Sequence, residues 1–249
     1  MVWPCTSISA PRGSSMTDSW LQGVGPFMDV MRLGIRPYAE VLELQKELLE
    51  KRIKDEVHDT LILVEHEPVI TIGRKGAQLG DVPVPVVEVE RGGEATYHGP
   101  GQVVAYPIFK LPEERRDVHR FLRDLESVVI GVLGEFELSG SRVDGATGVW
   151  LGEKKVASVG VALRRWVTWH GLALNVHTDL DAFRPFQPCG LDPECMTRLA
   201  DHAELPGNNL LCEVLLVKHF LLVFDLELPP PPDPPDTASG GFPELPILN

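Results

Sequence analysis

The chain has 249 residues, 43% of them hydrophobic and 24% charged, so it can bury an independent core. Its formal net charge of −13 argues against bulk attraction to nucleic acid or to an anionic membrane. Cysteines stand only at 5, 189, 195 and 212, with no C-x-x-C pair and no regular spacing, which excludes a secreted disulfide framework and favours a reduced, cytoplasmic chain.

Residues 1–30 carry Pro, Ser and Gly with isolated apolar side chains, and read as a loose extension without the pattern of a signal or transit peptide. Strong patterning runs over 31–228, and Met31, at its start, is a candidate for the first residue of the native chain. Pro37 suits a first helical turn, and Val41, Leu44, Leu48, Ile53 and Val57 follow at roughly helical spacing. Short strands are expected over 61–65, 69–72 and 86–89, then a glycine-rich loop over 91–102 and a β-rich run over 103–109. Phe121, Leu125, Val128, Val129 and Val132 mark a helix over 117–138. Three strands follow over 148–151, 156–163 and 172–176, then a Pro/Phe-rich loop carrying Cys189. A last helix is expected over 208–224. Glu213, Lys218, His219 and Asp225 interrupt this apolar stretch, so a buried helix is expected there and no membrane span. Residues 229–249 form a Pro-rich tail. Grouped strands with helices at the start, middle and end predict an α+β fold with a mixed or antiparallel sheet.

Four segments can carry chemistry. The first is Arg91-Gly92-Gly93-Glu94-Ala95-Thr96-Tyr97-His98-Gly99-Pro100-Gly101-Gln102, whose glycines let backbone approach a ligand, although a long surface turn has the same composition. The second runs from Gly152 to Gly160. Lys155 there enters a strand of small and β-branched residues, and if it points inward it is a usable acid or base; the other reading puts Lys154 and Lys155 in a hairpin turn. The third is Pro188-Cys189-Gly190, a cysteine in an open turn that needs a nearby cation to become a thiolate, or else is inert. Cys195 is the decoy to test beside it, and Cys189, Cys195 and His202 match no common zinc spacing. The fourth runs from His170 to Asn175, with His170 either a second base or a structural histidine.

Together these segments resemble the lipoyl (octanoyl) transferase family, in the same order and spacing. Arg-Gly-Gly-x-x-Thr-Tyr-His-Gly-Pro-Gly-Gln falls on Arg91 to Gln102 without a departure. Of Gly-x-Lys-[hydrophobic]-x-[small]-x-Gly, the part from the lysine onward falls on Lys155 to Gly160 within the segment from Gly152, which has one residue more before the lysine; His-Gly-x-Ala-Leu-Asn falls on His170 to Asn175, and Pro-Cys-Gly on Pro188 to Gly190. The resemblance covers about 31–228 and implies the fold of biotin and lipoate protein ligase catalytic domains. It implies an octanoyl-acyl carrier protein donor. The implied acceptors are lysines of the lipoyl domains of 2-oxoacid dehydrogenases and of the glycine-cleavage carrier protein. The family nucleophile falls on Cys189 and its assisting lysine on Lys155. The acyl-binding segments fall on Arg91, Gly92, Gly93, Glu94, Ala95, Thr96, Tyr97 and His98, on Ser158, Val159 and Gly160, and on Gly171, Leu172 and Ala173. No cofactor and no metal is implied. Backbone N–H groups near Gly190 or in the glycine loop are expected to hold the oxyanion, and Gly160, Ala162, Gly171 and Ala173 to leave room for the chain.

Rival readings are an ATP-dependent lipoate protein ligase of the same fold, an enzyme moving octanoyl between carrier proteins, and an acyl-protein binding module. Because the expected partners are themselves acidic, a basic rim is expected among Arg142, Lys154, Arg164, Arg165 and Arg184.

Overall fold

The computed structural model describes residues 26–231. The extension up to residue 25, with Cys5, and the Pro-rich tail from residue 232 lie outside the described residues. The core is one seven-stranded sheet made of β1 (Met28–Arg36), β2 (Asp59–His66), β6 (Gln102–Ile108), β7 (Gly140–Val143), β8 (Ala146–Leu151), β9 (Lys154–Arg164) and β10 (Val167–Asn175). Their spatial order is β1-β2-β6-β10-β9-β8-β7. Only β1 and β2 run parallel; the other neighbours are antiparallel, as expected for a mixed sheet. Every residue of β6 and β10 is buried, so these near-continuous apolar runs occupy the centre and are covered on both faces.

Alternation along the central strands divides the core in two. Leu61, Leu63, Val103, Ala105, Leu172 and Leu174 pack against α2 (Val118–Gly134) and α3 (Leu210–Phe224). Ile62, Val64, Val104, Tyr106 and Ala173 pack on the opposite face, against α1 (Tyr38–Ile53). Asp117 caps α2 by accepting from the N–H groups of His119 and Arg120 at 2.8 and 3.1 Å. A smaller sheet holds β3 (Val69–Ile72), flanked by β4 (Val86–Glu88) in parallel and β5 (Ala95–His98) antiparallel. No helix among the described residues is long and apolar enough to cross a membrane.

Three local differences from the sequence expectation have physical causes. The first helix stops at Ile53, because Lys54 caps it and Asp55 turns left-handed at φ 61°, which leaves Val57 outside. The second half of the glycine-rich segment is strand β5, paired with β3. Strands β1 and β7 were not expected at all. Both are edge strands with several exposed residues and no clean alternation, so backbone pairing defines them more than side-chain pattern does. Strand β1 starts at Met28, ahead of the boundary expected at 31; Met28 is fully buried, and Met31 pairs with Ile62 inside the strand.

Candidate active site

Arg91 anchors the glycine segment. Its Nη2 donates to the carbonyl and hydroxyl oxygens of Thr71 at 2.8 and 2.9 Å, and its Nη1 donates to Gly92 O at 3.0 Å. Burial lowers the pKa of this guanidinium, and nearby Cys189, Tyr38 and Tyr106 oppose the shift. The Gly92 N–H donates to Val161 O at 3.0 Å, which docks the segment on β9. Deeper in, His98 Nδ1 meets Gln102 Oε1 at 2.7 Å, and Gln102 Nε2 donates to Asn175 Oδ1 at 2.9 Å. Asn175 Nδ2 donates to Thr197 O at 3.0 Å, and the Thr197 N–H donates to Lys155 O at 2.9 Å. One buried chain of polar groups therefore joins β5, β10 and the segment after Cys189 to the backbone of Lys155. Each group has a partner, which is what a buried polar network needs in order to fix geometry.

Cys189 sits in a short 3-10 turn spanning Pro188–Gly190, with φ 55° and ψ 29°. This is the left-handed region, which costs an L-residue roughly 1–2 kcal/mol. Its Sγ lies 3.8 Å from Ser158 Oγ on β9. Three residues earlier on the same strand, Lys155 is only 1% exposed, so it points inward and is not part of a solvent-facing hairpin turn. Its stem lies against Gly148, the cross-strand partner of Ser158, where an added Cβ would fall 2.5 Å from Lys155 Cε. Its Nζ stands 6.0 Å from the Trp150 ring centroid. The Gly148 N–H donates at 2.9 Å to Glu126, a fully buried carboxylate of α2 that also accepts from Arg123 and Arg142.

Lys155, Ser158 and Cys189 line one cavity of about 350 Å³, within the usual range for small-molecule sites. Its wall also contains Arg91, Gly92, Gly93, Glu94, Thr96, His98, Val159, Gly160, Gly171, Leu172 and Ala173. Ala95 and Tyr97, expected beside them, do not line it. Alternation along β5 turns both toward Phe183 and Phe186 on the far side of the small sheet. Ala162 packs into the α1-side core and not the cavity, and Gly171 fits backbone: a Cβ there would collide with Ala105 O. The Gly190 N–H already donates to Gln187 O at 3.2 Å and the Gly92 N–H to Val161 O, so neither amide is free as an oxyanion donor. Cys195 does not line the cavity, and burial pushes the Cys212 thiol up to about 11. Among the described residues no group of His, Cys, Asp and Glu has the arrangement to hold a metal ion.

The expected basic rim is largely neutralised. Arg142 pairs with Glu126, Arg164 with Glu50, and Arg184 with Asp181 and Glu194. Among the described residues only Lys154 and Arg165 of that set stand without an ion-pair partner.

The structure adds Tyr38 and Tyr106 to the cavity wall and places His170, the candidate base of the fourth segment, there as well. Burial pulls the pKa of His98 and of His170 to about 3 and raises that of Tyr38 to about 12, so all three are neutral near pH 7. Neither ring nitrogen of His170 has a hydrogen-bond partner among the described residues. Glu126 was legible in principle, as a carboxylate amid the apolar positions of its helix. Thr71 and Thr197 carry no such signal, because only the folded chain brings them to the site.

The lipoyl protein ligase A/B catalytic domain matches residues 37–219. The chain is 46% identical over 172 residues to an octanoyltransferase of Caldanaerobacter subterraneus subsp. tengcongensis, covering 66% of this chain and 75% of that one. It is 41% identical over 204 residues to an octanoyltransferase of Syntrophotalea carbinolica, covering 81% and 97%. Among solved structures, lipoate-protein ligase A bound with ATP superposes with a TM-score of 0.63 at 17% identity, covering 82% of this chain and 87% of that one. A bi-partite lipoate protein ligase from Thermoplasma acidophilum gives 0.62 at 15%, covering 82% and 86%. At these identities the structural likeness shows a shared fold.

Proposed function

The chain belongs to the lipoyl protein ligase A/B catalytic domain family and, within it, to the octanoyltransferases, and from that premise we propose that it carries octanoyl as a thioester on Cys189 between an acyl carrier protein and a lipoyl-domain lysine. It is an acyltransferase, and octanoyl transfer in protein lipoylation is its reaction. The finer steps follow from the site. The observation that carries them is Cys189 Sγ in a left-handed turn, 3.8 Å from Ser158 Oγ, on the wall of the cavity that also holds buried Lys155.

The first half-reaction begins with the Cys189 thiolate beside the Lys155 ammonium. The thiolate attacks the carbonyl carbon of the octanoyl thioester, the carrier thiolate leaves, and Lys155 gives it a proton. Octanoyl-Cys189 and neutral Lys155 remain. In the second half-reaction the acceptor lysine arrives as an ammonium and gives one proton to Lys155. Its amine then attacks the thioester, the Cys189 thiolate leaves, and a second proton passes to solvent as the amide forms. Arg91, His98, Gly171 and Ala173 line the space for the acyl chain. Lys155 is the candidate donor to the oxyanion, since the amides of Gly92 and Gly190 are engaged. The natural acceptors on this reading are lipoyl domains of 2-oxoacid dehydrogenases and of the glycine-cleavage carrier protein.

Intact-protein mass spectrometry after incubation with octanoyl-acyl carrier protein, without ATP, tests the proposal. A hydroxylamine-labile octanoyl adduct is expected on wild type and on Cys195→Ser and not on Cys189→Ser, with turnover of the last reduced about 10⁴-fold or more. An adduct that needs ATP and free octanoate would move the chain to the ligase reading.

A further inference from the structure

The cavity wall is electrostatically one-sided. Lys75, Arg91 and Lys155 bring positive charge to it, while the buried rings of His98 and His170 are neutral near pH 7. Among the described residues a single carboxylate lines it, that of Glu94. This carboxylate takes no hydrogen bond and no ion pair from any described residue. It lies against Gly190, the residue after the proposed nucleophile: a Cβ at Gly190 would collide with Glu94 Oε2. Gly190 also has φ +72°, a backbone that favours glycine, and the carboxylate rests in the space beside it.

An unpaired carboxylate has nothing to offer an apolar octanoyl chain. The reaction does bring in one obligatory cation, the acceptor lysine, whose ammonium has an ordinary pKa of about 10.4. In the acyl-enzyme, where Lys155 is neutral, Lys75 and Arg91 still oppose its entry. We propose that Glu94 receives the acceptor lysine, its carboxylate accepting a charge-assisted hydrogen bond from the incoming ammonium and holding the nitrogen beside the acyl group on Cys189. This assignment rests on the acyl-enzyme reading above. Glu94 forms no covalent bond; the ammonium keeps one N–H on the carboxylate while another proton passes to neutral Lys155. The residue acts in the second half-reaction, which sets it apart from the acyl-binding role expected for its segment.

The experiment measures the two half-reactions separately on the full chain. Octanoyl-acyl carrier protein is added and the Cys189 adduct is followed by intact mass. The isolated acyl-enzyme is then mixed with a range of lipoyl-domain concentrations in single turnovers. Glu94→Gln is expected to raise the half-saturating acceptor concentration about tenfold, at least fivefold more than it slows adduct formation. Glu94→Lys should have a larger effect in the same direction, and Glu94→Asp should recover most of the loss. Equal slowing of both half-reactions would make Glu94 only a support of the Cys189–Gly190 turn and overturn the proposal, as would no change in acceptor dependence. If wild type forms no adduct, the acyl-enzyme reading falls and this assignment falls with it.

Discussion

The two faces of the seven-stranded sheet are built by different means. Toward α2 and α3 the interior is apolar and continuous, with Phe121, Leu125, Val129, Leu216 and Phe220 each 2% exposed or less. Toward α1 and the glycine segment, the same strands meet Tyr38, Tyr106, His66, His98, Arg91 and Gln102. Burial pulls the His66 pKa to about 4, and its Nε2 is held 2.8 Å from Tyr106 Oη. Non-glycine residues with positive φ, Cys189 and His170, line the cavity, and among the described residues neither the ring nitrogens of His170 nor the carboxylate of Glu94 on its wall has a hydrogen-bond partner. One face stabilises the domain by burying area. The other accepts desolvated polar groups and backbone strain to make most of a site, whose wall also takes Leu122 and Leu172 from the apolar side. Substitutions should therefore separate stability from chemistry according to the face they touch.

The largest expected effect on stability lies on the apolar face. Phe220 is fully buried, with ring centroids 6.0 Å from Phe109 and 5.8 Å from Phe224. Phe220→Ala should cost about 3–5 kcal/mol through lost transfer energy and a cavity. Chemical denaturation measures that loss, while the rate of adduct formation per folded molecule should stay within twofold of wild type. A fall in that rate matching the loss of Cys189→Ser would mean that the faces are not separable.

How far each face was legible in the sequence follows from the same contrast. The helical spacing of Phe121, Leu125, Val128 and Val132 and the apolar runs of β6 and β10 located the core, because burial writes a period into the side chains. Edge strands β1 and β7 bury one face poorly and left no period to read. At the site, the glycine segment, Lys155 and Cys189 were recognised as motifs, and the fold brings them to one cavity. The motif could not tell that Ala95 and Tyr97 turn away, since that depends on half the segment being a strand. Nor could it reveal Thr71, Thr197 and Glu126, whose roles arise from contacts between residues distant in sequence.

Glu126 tests the border between the faces. It projects from the apolar-face helix, yet its Oε1 accepts from the N–H of Gly148, which packs on Lys155. Glu126→Gln keeps a carbonyl oxygen for that N–H and removes the charge that Arg123 and Arg142 share. Both arginines are partly exposed and regain water, so a moderate loss of about 1–3 kcal/mol is expected. Adduct formation should also slow severalfold as the Gly148–Lys155 contact loosens. A stability loss with wild-type adduct kinetics would place Glu126 wholly on the structural side.

The smallest effect should have the opposite sign. Cys189 holds φ 55° and ψ 29° in a turn whose hydrogen bonds, Gly190 N–H to Gln187 O and Leu191 N–H to Pro188 O, are both backbone. The side chain therefore does little to support the turn, while its Cβ strains it by roughly 1–2 kcal/mol relative to glycine. Glycine gives back about half of that through the greater freedom of its unfolded chain. Cys189→Gly should accordingly be inactive yet more stable than Cys189→Ala by about 0.5–1 kcal/mol, a rise of roughly 1–4 °C in Tm for a domain of this size. Paired thermal melts of the two variants measure it. Equal or lower stability of the glycine variant would mean that the left-handed turn is not strained, and that the contrast between the faces rests on the buried polar groups alone.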